Sequence, residues 1–377
     1  MENFWSVFRE SLRNMLGKPL WLMMVLSVAL TTLPYAHRTM NDLPVAVIDM
    51  DHSAASRELV RLLDAAPKIA TRGYDQLPEA QHDLAWRKLF AIVVIPLDFE
   101  KRVLRGESVT VPIFGDATNR MANGQIQQDI SATYNELSLR YNRERLTRGG
   151  FSERQASVLL QPAIGQLTDL FNPGTSFAAI VLPGLVTLIL QHSLLLSCTR
   201  VNLNLRGGTP RSLRQPVSTR FGRYAAQLSI WTVLAMLFYV IWPWMMGYRQ
   251  TASFFMLMGL VLPFLLAVIA MSEFVAELLP SEEAVYLTMT FITLPLFYMA
   301  GFTWPPQAMP QWVQLLADAI PSTWAIRAVV EMNQMDLPLS AVADRILILF
   351  AMAAAYGLLG TLIYQYRNWR WDQLKGW

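Results

Sequence analysis

The chain reads as an α-helical membrane protein carrying one soluble insertion, and three observations lead there. Apolar residues make up 53% of the 377 and charged ones only 16%, too greasy a balance for an ordinary soluble protein. Six windows approach the length of about 20 largely apolar residues that crosses a bilayer as a helix, at 19–35, 175–198, 224–247, 253–272, 284–302 and 345–366. Between the first and second windows the composition turns soluble over 37–172, long enough for one small independent core.

Taken in order, residues 1–18 place Phe4, Phe8, Leu12 and Met15 at helical spacing and read as an amphipathic helix on the membrane surface. The first span, 19–36, follows a short basic region as a signal peptide would. Cleavage after Pro34-Tyr35-Ala36 would leave proline where a small residue is needed, so an uncleaved helix is expected. In the insertion, Val45–Ile48 and 91–95 read as buried strands and 109–114 as a third, with helices over 53–63 and 99–104 and a stop at Gly106. Ile126, Ile130, Tyr134, Leu137 and Tyr141 recur every three or four positions and predict a long amphipathic helix leading back to the second span. Residues 37–172 are thus a small α/β domain.

Lys and Arg in short loops fix orientation. Arg9, Arg13 and Lys18 precede the first span, Arg200, Arg206, Arg211, Arg214, Arg220 and Arg223 fall in the 199–223 loop, and Arg367, Arg370 and Lys375 form the tail. The opposite loops hold Arg249, Arg327 and Arg345. Both termini and the 199–223 loop are therefore expected in the cytoplasm and the insertion outside. One turn resists, since Glu273, Glu277, Glu282 and Glu283 sit between spans four and five without a base; pairing with the arginine loop would resolve it. Trp242, Trp244, Tyr248, Trp304, Trp312 and Trp324 near the outer ends and Trp369 and Trp371 near the inner ones read as interfacial anchors.

Most chemistry is excluded. A single cysteine, Cys198, rules out a disulfide framework or a multi-cysteine metal centre. A net charge of +3 gives no basis for nucleic-acid binding. No P-loop, metalloprotease or nucleophile-elbow motif occurs, and the four histidines are scattered. His192, next to Gln191, lies within the second span, where a polar side chain tends to face the bundle interior or a cavity. Asp49-x-Asp51-x-Ser53 after a buried strand resembles the haloacid dehalogenase phosphatase signature. That family's later lysine and acidic pair are not recognisable, and Asp and Ser after a strand commonly make a turn and cap a helix.

The order of parts resembles the permease subunits of ABC-2 type transporters with a large extracytoplasmic domain between helices 1 and 2. Arg9-Glu10 and Lys18-Pro19 resemble that family's N-terminal connecting helix; Val45–Ile48 with Asp51, Ser53 and Ser56, then Ile95-Pro96, Phe99, Gly106, Asp116 and Asn119, resemble its insertion. Pro295, Ala300-Gly301-Phe302, Trp304-Pro305, Met309-Pro310 and Pro321-Ser322-Thr323 resemble a fifth helix followed by half-helices that re-enter the outer leaflet, here 303–330. Arg206, Gly208-Thr209, Arg211, Leu213 and Pro216-Val217-Ser218 lie where the family's coupling loop docks on a cytoplasmic ATPase, with Gly-Thr, Leu and Pro-x-Ser matching its pattern. The family usually has glutamates before Gly-Thr, where Asn202, Asn204 and Arg206 stand here. Either the ATPase surface is complementary in another way, or this is the less active half of a heterodimer.

The resemblance implies a non-enzymatic transport subunit of an exporter in a bacterial inner membrane. It would work with a separate P-loop ATPase subunit that holds ATP-Mg, a second permease subunit, the lipid bilayer and, by the same analogy, a periplasmic adaptor, with no cofactor in this chain. Apolar and aromatic spans suit a drug or lipid-like cargo, and His192, Phe302, Trp304, Pro305, Pro321 and Trp324 are expected along its path and outer gate. Two other classes stay open: a membrane-anchored scaffold or receptor, and a tethered phosphohydrolase using Asp49 and Asp51.

Overall fold

The computed structural model describes residues 4–17, 20–33, 41–162, 177–208, 217–248, 250–279, 281–301 and 304–375. The chain divides into two compact units, Met1–Arg38 with Asp169–Trp377, and the inserted Thr39–Thr168. Helix α1 (Phe4–Leu16) and helix α2 (Leu20–Thr32) open the first unit, set at 47° to one another. Val7 and Met15 of α1 are buried; Phe4, Phe8 and Leu12 of the expected stripe are half-buried, and Trp5 is exposed.

The inserted unit runs β1 (Leu43–Asp49), α3 (Ala54–Asp64), β2 (Ile69–Gly73), α4 (Leu77–Ala85), β3 (Ala91–Ile95), α5 (Phe99–Arg105), β4 (Ile113–Gly115), α6 (Arg120–Arg148) and α7 (Glu153–Leu160). Its sheet has the order β2-β1-β3-β4, parallel except for β4. Buried on both faces, β1 and β3 are continuous apolar runs, as central parallel strands must be. Val45, Val47, Val93 and Ile95 pack on α3 and on Ile126, Ile130 and Leu137 of α6, while Ala46, Ile48, Ile92 and Val94 pack on Ala80 and Leu89. Ser53 caps α3 by accepting the Ser56 amide at 3.1 Å. Gly106 ends α5 at φ +72°, and the Arg145 guanidinium occupies the space its Cβ would need. β2 and α4 were not expected. Of β2 only Ile69 is buried, so this short edge strand lacks the apolar run that marks its neighbours.

The first unit resumes with α8 (Phe177–Gly208), α9 (Val217–Met236), a π turn (Leu237–Ile241), α10 (Trp242–Met245), α11 (Phe254–Leu278), α12 (Glu282–Met299), α13 (Gln311–Asp318), α14 (Pro321–Gln334) and α15 (Ala343–Lys375). Among the described residues, four stretches are by themselves long and apolar enough to cross a membrane, Val181–Leu203, Arg220–Met245, Phe254–Leu278 and Leu339–Arg367; α1 and α2 add a fifth if the bent pair is one span. They coincide with four of the six expected windows. The expected first span is a 13-residue helix here. The expected fifth, α12, has 18 residues, about 27 Å at helical rise, and Glu282, Glu283 and several threonines dilute its apolarity.

α11 packs against α8, α9, α14 and α15. Its approach to α15 is close enough that a Cβ on Gly360 would stand 3.2 Å from the Phe274 amide nitrogen and 3.4 Å from its Cα. Small residues at such crossings let backbones meet where lipid offers no hydrophobic drive. Gly360→Leu should therefore push α15 off α11. We expect a loss of about 1–3 kcal/mol, read as a lower thermal unfolding midpoint in detergent.

Candidate functional site

A cavity of about 630 Å³ opens along α8 between α2 and α12. Met23, Met24 and Ser27 come from α2, Leu188, His192 and Arg200 from α8, and Tyr286, Thr293 and Phe297 from α12. Its walls are mostly apolar, with a polar pair part-way along and a charge at one end. Thr293 Oγ1 lies 2.8 Å from His192 Nδ1 and donates to the Met289 carbonyl at 2.5 Å. Nδ1 is thus held by the Thr293 hydroxyl, with the direction of that bond set by the ring's tautomer, while Nε2 is the second polar atom of the ring. The sequence pointed to His192 alone. Thr293, a hydroxyl in the middle of an apolar window, was the available signal for its partner.

His192 stands apart from the other residues expected on the path. Its neighbour Gln191 is buried and accepts the Ser322 amide at 2.7 Å, satisfying an orphan donor at the start of α14. Pro321 is buried at the first position of that helix, where its missing N–H costs nothing. Trp324 donates Nε1–H to the Asp318 carbonyl at 2.8 Å and lies under the Arg327 guanidinium, itself 3.3 Å from the Asp318 carboxylate. Trp304 and Pro305 are exposed, and Phe302 lies outside the described residues. The expected outer-gate set is thus split: Pro321 and Trp324 share the α13–α14 hairpin, held by Gln191, while Trp304 and Pro305 precede it.

At the opposite end from that hairpin, charges gather. Of the residues expected on the coupling loop, Arg206 and Gly208 fall on the last turns of α8 and Ser218 on the first turn of α9; Thr209, Arg211, Leu213 and Pro216 lie outside the described residues. Helix occupies 199–208 and 217–223, which the sequence suggested as loop, since the apolar windows end before the helices do. The acidic turn finds its bases here. Arg200 Nε lies 2.9 Å from Glu282 Oε2, Arg367 Nη1 lies 2.6 Å from Glu277 Oε2, and Arg220 grips Glu273 through Nε and Nη2. The turn that resisted the charge count is therefore compensated by arginines from α8, α9 and α15.

In the inserted unit the two carboxylates of the phosphatase-like stretch serve the backbone. Asp49 accepts the amides of Asp51 and His52, each at 3.0 Å, and the Ser56 hydroxyl at 2.7 Å. Asp51 reaches across to α5 and accepts the amides of Phe99 at 3.1 Å and Glu100 at 3.0 Å, while Glu100 accepts the Ala55 amide at the start of α3. Two helix starts are thus capped reciprocally, α5 by Asp51 from the turn after β1 and α3 by Glu100 from the first turn of α5. Burial works against the Asp51 charge, but hydrogen bonds to the carboxylate outweigh it and hold the group below the ordinary aspartate range.

Residues 20–362 match the family described as ABC-2 family transporter protein. Two relatives, each named inner membrane transport permease YhhJ, from Escherichia coli (strain K12) and Shigella flexneri, are 26% identical to this chain over 385 aligned residues, covering 97% of this chain and 97% of theirs.

Since the Asp51 carboxylate is depressed on folding, its contribution is complete above the ordinary aspartate range and is lost as pH falls through the lower folded value. Asp51→Asn should weaken the α5 cap by about 1 kcal/mol, about fivefold faster exchange of the Phe99 and Glu100 amides at neutral pH. Asp49→Asn should leave any phosphate-ester hydrolysis by the purified chain unchanged; a loss of such activity would revive the phosphohydrolase.

Proposed function

The chain belongs to the ABC-2 family of transporter proteins, and on that premise we propose that this transport permease is the membrane subunit of an ATP-driven exporter for hydrophobic or amphipathic cargo. The observation that carries the reading is the apolar cavity between α2, α8 and α12, with His192 and Thr293 paired inside it. A mostly apolar cleft with few polar groups takes up a drug-sized or lipid-like molecule by displacing water and lipid, and uses those groups for orientation.

In this reading α2 and α12 join the four long helices as six spans. The arginine-bearing ends of α8, α9 and α15 face the cytoplasm with both termini, and Thr39–Thr168 lies outside, by the positive-inside bias. Arginine pairing of the acidic turn supports that orientation, because it removes the one loop that argued against it. The α13–α14 hairpin enters the outer leaflet, and Gln191 capping of α14 supports it, since backbone donors at that depth must be met by protein. A separate P-loop ATPase docks at 206–218, a second permease subunit completes the path, and a periplasmic adaptor engages the outer unit. The membrane is a bacterial inner membrane, in keeping with the relatives' name.

Extraction in mild detergent, pulling on this chain, should co-purify a stoichiometric P-loop ATPase. Replacing Arg211, Leu213 and Pro216 together by Asp should abolish that association while leaving membrane insertion intact. If no ATPase is recovered under conditions that keep a control transporter whole, the scaffold reading takes its place.

A further inference from the structure

We propose that the ion pairs Arg200–Glu282 and Arg220–Glu273 are transmission contacts, through which displacement of the 209–216 connection reaches the cavity wall. The proposal rests on the exporter reading, in which that connection docks on the ATPase. The two arginines stand on either side of it. Arg200 lies on α8 about 12 Å before the helix ends at Gly208, and Arg220 lies within the first turn of α9. Each reaches a glutamate of the α11–α12 turn, α8 to the first turn of α12 and α9 to the last turns of α11.

Mechanically, this closes a frame. α8 and α12 are joined at two heights, by Arg200–Glu282 and by His192–Thr293. A shift of α8 therefore carries α12 with it and moves both relative to α2, the third wall of the cavity. Without the lower tie α12 would lose its charged attachment to α8, while α11 would keep its own through Thr199 on Ser272 and Arg220 on Glu273. The Arg220 pair is specific in geometry, with two guanidinium nitrogens on two carboxylate oxygens of Glu273, and such a fork fixes direction as well as distance. Ion pairs of this kind add little net stability over well-packed apolar residues, and their distinguishing property is register. Register is what a transmission contact has to hold.

The test uses the full chain with its co-purified ATPase in lipid vesicles. Ser193→Cys, on the cavity wall, supplies a thiol whose alkylation rate by a maleimide is followed with and without ATP; native Cys198 is fully buried. ATP should change the labelling rate in the unmodified pair. Glu282→Gln should reduce that ATP-dependent change about tenfold, within the range of coupling between linked sites, with the ATPase still bound and hydrolysing. A merely stabilising pair would instead alter labelling equally with and without ATP. The charge-exchanged Arg200→Glu with Glu282→Arg should restore the response to within about twofold, which separates the contact from misfolding of either single variant. An ATP-dependent change that survives Glu282→Gln, or that the exchanged pair fails to restore, overturns the proposal and leaves the exporter reading standing. No ATP-dependent change in the unmodified complex overturns both.

Discussion

In a bilayer, lipid is as apolar as leucine, so the membrane unit cannot be held together by driving apolar helices out of their surroundings. α11 shows what replaces that drive. It packs against four other helices and is buried along most of its length. Contact is made by shape, with Gly360 of α15 against Phe274 and Gly357 against Ala270, whose Cβ would be met at 4.0 Å. It is then pinned by polar groups at one end, where Thr199 reaches the Ser272 carbonyl and Glu273 and Glu277 take arginines from α9 and α15. Helices 8, 9, 12 and 15 are all positioned by reference to the α11–α12 turn.

The inserted unit solves the opposite problem, because water supplies the drive and the sheet needs only to be covered on both faces. Its charged groups serve local geometry. Asp49 closes the turn after β1, and Asp51 and Glu100 cap the starts of α5 and α3, at the carboxyl ends of β1 and β3, the place where an open α/β sheet changes direction and commonly receives a ligand. Here protein carboxylates occupy the backbone donors a bound anion would take. The same arrangement explains why the sequence looked catalytic: two aspartates and a serine after a buried strand serve a phosphoryl-transfer site and a pair of helix caps equally well, and only the direction of their hydrogen bonds separates the two.

Sequence legibility follows the physics of each element. Continuous apolar runs announced the four long helices, whose sides meet either protein or lipid, and the two central strands, which are buried on both faces. β2 escaped notice because an edge strand buries one residue in five positions. α12 was expected on length, but Glu282 and Glu283 belong to its first turn rather than to the preceding loop, which sequence hydropathy cannot tell apart. His192 and Gln191 were visible as polar residues in an apolar span. Their partners Thr293 and Ser322 lie far along the chain, and no local pattern links them. Pairing of the acidic turn with the arginine loop was legible from charge balance, but which arginine meets which glutamate was not, since that depends on helices continuing past the apolar windows.

On the exporter reading, the cavity's polarity bears on how it would choose a cargo. Its strongest polar groups are engaged within the protein, the imidazole with Thr293 and the Arg200 guanidinium with Glu282. A cargo therefore finds mainly methylene, thioether and aromatic surface. Such surface discriminates weakly, since one methylene in an apolar site is worth about 1–3 kcal/mol, whereas rejection of near-isosteres by large factors needs buried polar groups that go unpaired when the wrong molecule binds. Because those contacts are made before cargo arrives and leave little beyond the imidazole Nε2 and the Tyr286 hydroxyl to orient it, size and apolar shape would set most of the selectivity, and several unrelated amphipathic molecules would compete for one cleft. Discrimination sharper than that would have to come from the second subunit's face or from the outer unit.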